Sequence, residues 1–264
     1  MQHDMPRDYR YVLRCIIIGL AAGVQSGLFG VGGGTIIVPM LSWLLAFDQR
    51  KASATSLAAI VPTAAVGVIS YAAHDSVAWV PALLLAVGAV IGAQIGTWLS
   101  AHLPERTLRW FFVCFLLVVV ATLFTTTPSR DSALVVTVGT AIGMIGVGLA
   151  MGILSGLLGV GGGVIVVPAM MLLFGASDLV ARGTSLLTML PAAISGTIAN
   201  ARRHTVDLSA AAFVGLGACA STSLGVWIAT LISPLAGNIL FAALMLFIAG
   251  QMAWRLIRSR KPRS

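Results

Sequence analysis

The chain contains 264 residues, of which 58% are hydrophobic and only 9% are charged, and its mean hydropathy is +1.00. A soluble domain carries about 25% charged residues, so this composition excludes a soluble domain and a disordered chain and indicates an integral membrane protein. The net charge of +8 does not indicate nucleic-acid binding, because the basic tails directly flank apolar segments, where such residues orient membrane spans.

Apolar segments follow one another along nearly the whole chain. They cover residues 11–47, 52–73, 77–101, 108–125, 132–174, 183–200, 207–232 and 236–255. A spanning helix needs about 20 residues, so the first and fifth segments are too long for one crossing. Both contain three consecutive glycines, Gly32–Gly34 and Gly161–Gly163. We therefore expect each long segment to be two helices separated by a glycine break.

The distribution of basic residues predicts the topology. In a first topology every segment crosses the membrane once from a cytoplasmic N-terminus, and five of the sixteen basic residues then lie on the outer side. In a second topology both long segments cross twice, and only Arg130 and Arg182 lie on the outer side. Basic residues accumulate on the cytoplasmic side. This favours ten membrane segments with both termini in the cytoplasm. A hairpin that enters and returns on one side places the loops identically, so the sequence leaves that variant open.

An internal repeat divides the chain into two halves. The segment Gly23–Leu41 reads GVQSGLFGVGGGTIIVPML, and most of its letters recur without a gap in the segment that begins at Gly152, GILSGLLGVGGGVIVVPAM. The same spacing relates Pro62 to Pro191. We therefore predict an all-α membrane fold of two transmembrane repeats, residues 11–127 and 132–257, between the tails 1–10 and 258–264.

Five membrane segments per repeat is an odd number, so the second repeat would begin on the opposite side of the membrane and lie inverted. Inverted repeats are a common plan of secondary transporters, and interrupted helices at corresponding positions of the two halves indicate the substrate site. The repeat therefore predicts alternating access around a site at the glycine breaks.

The glycine motif suits an anion. Glycine tolerates a sharp break, and a helix restarting near Thr35 or Val164 would present unpaired N–H groups and a partial positive charge. Hydroxyl groups of Ser26, Thr35 and Ser155 could add donors. We expect Gly32, Gly33, Gly34, Gly161, Gly162 and Gly163 to contribute to substrate binding. The alternative is that these glycines only allow close helix packing.

Two Thr–Ser pairs recur in the repeat register, at Thr55–Ser56 and Thr184–Ser185, each seven residues before a proline. Their hydroxyl groups can bond to carbonyls of their own helix or line a substrate cavity. Both interpretations stay open from the sequence.

Other polar and helix-breaking residues lie within apolar surroundings. Gln25 and Asn200 either form hydrogen bonds between helices or contact the substrate. The dipeptide Arg202–Arg203 either orients the protein or attracts an anion at the cytoplasmic mouth. Structural breaks, in the form of helix kinks or helix starts, are expected at Pro39, Pro62, Pro168 and Pro191.

Several chemistries are disfavoured by the sequence. All eight acidic residues fall in tails or near loops, whereas an acid in mid-membrane usually marks a cation or proton site. The motif GVGGGT lacks the Lys–Ser/Thr of a phosphate-binding loop. The three cysteines are far apart, and no Ser/His/Asp cluster appears. We expect no metal, no cofactor, no nucleic-acid partner and no enzymatic activity.

The two glycine motifs, GLFGVGGGTIIVPML and GLLGVGGGVIVVPAM, with the Thr-Ser-Leu and proline that follow each, resemble the TauE/SafE sulfite exporter family of membrane permeases. The resemblance covers about residues 12–255. It implies transport of sulfite, organosulfonates, thiosulfate or related anions across a bacterial-type inner membrane, with the glycines and their flanking serines and prolines along the path.

The leading hypothesis is a secondary transporter of a small anion, embedded in a lipid bilayer. An anion channel and a non-transporting scaffold or accessory subunit are the alternatives. The sequence leaves the direction of transport, the coupling ion and homo-oligomer formation open.

Overall fold

The structure is a computed structural model that describes residues 9–125 and 137–258. It contains ten α-helices in these ranges: α1 Tyr9–Phe29, α2 Gly34–Leu44, α3 Gln49–Ala72, α4 Trp79–His102, α5 Glu105–Thr125, α6 Val138–Leu158, α7 Gly163–Phe174, α8 Asp178–Ala201, α9 Leu208–Leu231 and α10 Pro234–Arg258. The boundary predicted between the repeats, at residues 127–132, and most of both predicted tails lie outside the described residues.

The predicted all-α membrane fold is confirmed. In the two described ranges, the helices α1, α3, α4, α6 and α9 are each long and apolar enough to cross a membrane, and α2 and α7 are shorter apolar helices. The helix bounds have the same spacing as the sequence repeat. Helices α1, α3 and α4 recur in the repeat register as α6, α8 and α9, with the same lengths.

Both predicted glycine breaks are present. The glycines that interrupt the helices have left-handed φ angles between 69° and 83°: Gly30, Gly32, Gly33, Gly159, Gly161 and Gly162. A side chain costs energy in this conformation, and glycine avoids that cost. The positions are equivalent in the two halves, so the chain turns by the same local geometry at both breaks.

The four prolines are expected to kink or start helices, and only the helix starts are excluded. Pro39, Pro62, Pro168 and Pro191 lie inside α2, α3, α7 and α8, and none of them begins or ends a helix. Inside a helix, proline removes one hydrogen bond and its ring clashes with the preceding turn, which a membrane helix can tolerate. The helix breaks are therefore made by glycine. A kink at these four positions stays a prediction.

Each break reverses the chain direction. A methyl group built on Gly33 would lie 2.7 Å from the carbonyl oxygen of Ala22, and the Arg14 guanidinium donates to the Leu44 carbonyl across 3.2 Å. Helix α2 therefore runs back along α1. Its 11 residues extend about 16 Å, about half of the hydrocarbon layer. The geometry thus matches the variant in which the broken segment enters the membrane and returns on the same side as a hairpin.

The halves are interlocked through glycine-mediated contacts. Methyl groups on Gly19, Gly23 or Gly27 of α1 would overlap the backbone of α9. Glycines of α4 pack in the same way on α6, at Gly88 and Gly92. Small residues allow membrane helices to approach this closely. The first helix of each half therefore packs along the fourth helix of the other half, in a parallel direction.

Helices α3 and α8 are equivalent in the repeat and cross each other at the centre. A methyl group on Gly67 would lie 2.6 Å from Leu186 Cδ1, and one on Gly196 would lie 3.1 Å from Leu57 Cδ1. Early residues of one helix thus meet late residues of the other. The two equivalent helices run in opposite directions.

Candidate functional site

The two glycine breaks touch each other. A methyl group built on Gly34 would lie 2.6 Å from the Cα of Val160, and one on Gly163 would lie 2.6 Å from the Cα of Val31. Both glycines must lack a side chain because the other break passes so close. The structure therefore brings together the two regions that the sequence marks as candidate sites.

The space beside the breaks is filled by apolar side chains. Methyl groups on Gly32 and Gly161 would both meet the Cε of Met189, and they would lie 3.3 and 3.0 Å from methyl carbons of Ile60. Met189 and Ile60 are fully buried. The central meeting point is thus closed by Met189 and Ile60.

Two serines cap the broken helix ends from the opposite half. Ser56 Oγ on α3 donates to the Gly159 carbonyl across 2.8 Å. Its equivalent on α8, Ser185, donates to the Gly30 carbonyl, also across 2.8 Å. A carbonyl left without a partner in a membrane is costly. These serines therefore stabilise the breaks, and their partners lie outside their own helices.

The neighbouring threonines accept hydrogen bonds at the starts of two helices in the opposite half. Thr55 Oγ1 accepts a hydrogen bond from the Asp207 amide across 3.0 Å, and Thr184 Oγ1 accepts one from the Ala78 amide across 2.9 Å. Asp207 and Ala78 are the N-cap residues of α9 and α4. Each Thr–Ser pair thus connects its own helix to two places in the other half.

Several predicted residues beside the breaks have polar atoms without a partner in the described part of the chain. The Gln25 amide donates to the Thr35 hydroxyl, but Gln25 Oε1, Ser26 Oγ and Ser155 Oγ are buried and unpaired. Ser26 and Ser155 occupy equivalent positions in the two halves. Unpaired buried polar groups are rare and need an explanation.

The short helices begin without a side-chain cap. Gly33 and Gly162 occupy the N-cap positions of α2 and α7, and neither start receives a capping hydrogen bond from a side chain among the described residues. The first amides of a helix have no partner within the helix. Both starts therefore offer N–H groups close to the meeting point of the breaks.

A cavity of about 190 Å³ lies beside the second break. It is lined by Arg50, Ser53, Ala54, Thr97, Ser100, Ala101, Gly156, Asn200, Arg203 and Thr205. These residues come from the start of α3, the ends of α4, α6 and α8, and the loop that follows α8. The cavity is therefore at one end of the molecule.

The cavity is rich in hydrogen-bond donors. Arg203 Nη1 donates to the Thr97 carbonyl across 2.6 Å, and Arg50 Nη2 donates to the Leu103 carbonyl across 2.9 Å. These bonds hold the guanidinium groups and leave further donors on each. Among the described residues, the lining contains no carboxylate. Such a cavity favours an anion.

Asn200 is the predicted site residue that lines this cavity; its amide donates to the Gly196 carbonyl across 3.0 Å. Sequence reasoning missed Ser53, Thr97 and Ser100, because single hydroxyl residues on separate helices form no motif. The sequence predicts that Arg202–Arg203 either orient the protein or attract an anion, and Arg203 lies in the cavity lining.

An ion pair joins the halves near the cavity. Lys51 Nζ lies 3.2 Å from Asp207 Oδ2. Partial burial raises the pKa of Asp207, but hydrogen bonds from Ala210 and Ser209 and the Lys51 charge outweigh it, so the net pKa is lowered. Asp207 is therefore an anion at neutral pH and connects α9 to α3.

A family model described as "Sulfite exporter TauE/SafE" matches residues 2–123 and 144–264. The chain belongs to the TauE/SafE family. The predicted family is thereby confirmed on both halves of the chain.

Curated relatives agree with this assignment. "Probable membrane transporter protein YunE" of Bacillus subtilis is 28% identical over 70% of this chain and 76% of its own length. A "Probable membrane transporter protein" of Xylella fastidiosa is 26% identical over 90% of this chain and 93% of its own length. Another, of Haemophilus influenzae, is 30% identical over 61% and 62%. No solved structure matches the chain.

The TauE/SafE chain is therefore a multi-pass membrane transporter, with a small-molecule substrate and a lipid environment. The prediction that it is not an enzyme agrees with the transporter names of its relatives.

Proposed function

We propose that this TauE/SafE protein carries small anions by alternating access, and that the structure represents the state that is open on the cytoplasmic side. The observation that carries the proposal is the cavity at one end of the molecule, whose described lining includes Arg50 and Arg203 and no carboxylate. The guanidinium groups attract the anion, and buried donors below them replace its hydration shell.

The substrate proposed is sulfite, an organosulfonate or a related sulfur oxyanion. The family description names sulfite. A sulfur oxyanion presents several acceptor oxygens to donors from different directions, which fits Arg50, Ser100 and Asn200 on three separate helices. The cavity volume of about 190 Å³ admits an anion of this size.

Charge supports the proposed sidedness. Arg50, Lys51, Arg202 and Arg203 all lie at the cavity end, in or beside the loops that precede α3 and follow α8. Basic residues accumulate on the cytoplasmic side. The cavity would thus open to the cytoplasm of an inner membrane, with both termini on that side.

The packing at the centre favours a carrier over an anion channel. Met189 and Ile60 fill the space beside the breaks, whereas a channel needs a continuous polar path. The opposite directions of α3 and α8 agree with inverted halves, which can exchange conformations. A cavity lined by two guanidinium groups also disfavours a scaffold without transport.

The glycine breaks would form a deeper anion position. The uncapped starts of α2 and α7 offer amides, and the hydroxyls of Ser26 and Ser155, unpaired among the described residues, could donate to a bound anion. The anion would reach this position from the cavity when Met189 turns aside. Gly32–Gly34 and Gly161–Gly163 would then line the path.

Flux measurements in liposomes test the proposal. Purified protein should exchange radiolabelled sulfite, and unlabelled sulfite on the opposite side should accelerate uptake, as a carrier requires. Arg203→Gln should lower the flux about tenfold, because a hydrogen bond to a charged group contributes about 1.5–3 kcal/mol. Arg202→Gln is the matched control, since this exposed neighbour does not line the cavity.

Equal flux in Arg203→Gln and Arg202→Gln would show that the cavity has no part in transport. Sulfite flux without acceleration from the opposite side would favour the channel.

A further inference from the structure

The end of the molecule opposite the cavity contains the repeat equivalents of the cavity residues. In the repeat register, Ser53 corresponds to Arg182, Asn200 to Tyr71, and Gly156 to Gly27. If the two halves exchange conformations, these equivalents line the path on the other side. Their arrangement therefore shows how that side is closed.

Side chains fill the place that the cavity occupies at the other end. Tyr71 donates its hydroxyl to the Gly27 carbonyl across 2.7 Å, and Arg182 Nη1 donates to the Leu28 carbonyl across 2.8 Å. Tyr71 is fully buried and Arg182 is 3% exposed. A methyl group on Gly237 of α10 would lie 2.8 Å from Arg182 Nη2, so the guanidinium is covered there as well.

Arg182 forms a buried ion pair with Asp178. Arg182 Nη2 lies 3.5 Å from Asp178 Oδ2, and their side chains are 3% and 1% exposed. The sequence predicts that Arg182 lies on the outer side of the membrane and Asp178 near a loop. Both residues are buried in the first turns of α8. Burying two charges is expensive even when they are paired.

The fold does not require this pair. The equivalent positions in the first half are Gln49 and Ser53, which lie at the start of α3, a helix of the same length, and carry no charge. One half thus begins its third helix with neutral residues, and the other with an arginine and a carboxylate. The charges call for a functional explanation.

We propose that Arg182 binds the transported anion when the molecule opens at this end, and that the Asp178 carboxylate takes the place of that anion while the end is closed. The inference rests on the proposed function and deepens it. A guanidinium binds a carboxylate and a sulfur oxyanion through the same donors. The two residues lie one turn apart on α8 and stay on the same helix, so the Arg182 side chain turns from Asp178 to the arriving anion when this end opens.

Cysteine labelling in detergent tests the switch without any substrate. Cys114 and Cys219 are first replaced by serine. Ser76→Cys then reports opening of this end of the molecule, because Ser76 is only 6% exposed and its backbone packs on Gly183, next to Arg182. Asp178→Asn should raise the rate of maleimide labelling at least about tenfold, since an unpaired buried charge strongly disfavours the closed state.

Two controls separate opening from damage. Asp48→Asn makes the same change at the N-cap of α3, where asparagine is an equally good cap, and should leave the rate unchanged. The native Cys15 is fully buried, so it reports unfolding and should stay unreactive in every variant. Equal labelling in Asp178→Asn and Asp48→Asn, or labelling of Cys15 together with Ser76→Cys, would make the pair purely structural and overturn the inference.

Sulfite flux in liposomes tests the anion role. Arg182→Gln should lower the flux at least about tenfold, while Arg182→Lys, which keeps the charge, should retain more of it. Wild-type flux with an unaffected Arg182→Gln variant would overturn only this inference. Failure of the wild type to carry sulfite, thiosulfate or the organosulfonate sulfoacetate would overturn the proposed function and, with it, the anion role of Arg182.

Discussion

At the scale of single residues, the serines that cap the glycine breaks show how this protein tolerates irregular backbone in a membrane. Gly30 and Gly159 follow α1 and α6 with carbonyls that their own helices cannot satisfy. Ser185 and Ser56 satisfy them from the opposite half. The breaks therefore depend on both halves being packed together, which couples the local geometry of one half to the position of the other.

Loss of one cap should destabilise the whole protein. Ser185→Ala leaves the buried Gly30 carbonyl without its partner, which costs about 1–3 kcal/mol. Thermal unfolding in detergent should show a lower midpoint. Thr63→Val is the control, because the buried Thr63 hydroxyl donates to the Ala59 carbonyl within its own helix. Equal midpoints in the two variants would show that the capping bond contributes no stability.

The role of these serines could be only partly predicted from the sequence. Repetition singles out Ser56 and Ser185, but their partners lie 103 and 155 residues away. Periodicity describes one helix at a time and carries no information on contacts over such distances. The capping role therefore needed the three-dimensional arrangement.

At the scale of helices, the breaks were predictable because they are local. Three glycines in an over-long apolar segment require no knowledge of the rest of the fold, and the left-handed φ angles explain them. The prolines are expected to kink or start helices; all four lie inside helices, which excludes the starts and leaves the kinks a prediction. The return of α2 along α1 depends on packing, so the sequence alone did not decide between a full crossing and a hairpin.

Alanine in place of glycine should have opposite effects in a break and in a helix. Gly33→Ala forces a side chain into a left-handed φ of 74°, which costs about 1–2 kcal/mol, and places it against Ala22. Gly146→Ala lies within α6, where nothing is within 4 Å, and should stabilise the helix by up to about 1 kcal/mol. Thermal unfolding of both variants against wild type checks the signs. A neutral Gly33→Ala would contradict the assigned break.

At the scale of the whole molecule, the halves share a fold and differ in their charges. The cavity end carries Arg50 and Arg203, whose equivalents are Leu179 and His74. The closed end carries Arg182 and Asp178. The repeat predicts the helices of both halves. It does not predict the difference in charge between the two ends, because the cavity is assembled from helix ends that are distant in sequence.

The arrangement of the halves in the membrane is the last prediction, and the ends of two equivalent helices test it. Ala73 follows α3 and Ala201 ends α8; both are exposed. Because α3 and α8 run in opposite directions, Ala73→Cys and Ala201→Cys, without Cys114 and Cys219, should be reached from opposite sides. A membrane-impermeant maleimide should label Ala73→Cys in intact cells and Ala201→Cys only after permeabilisation. Labelling of both from one side would refute inverted halves, and labelling of Ala201→Cys alone in intact cells would reverse the proposed sidedness while leaving the inversion intact.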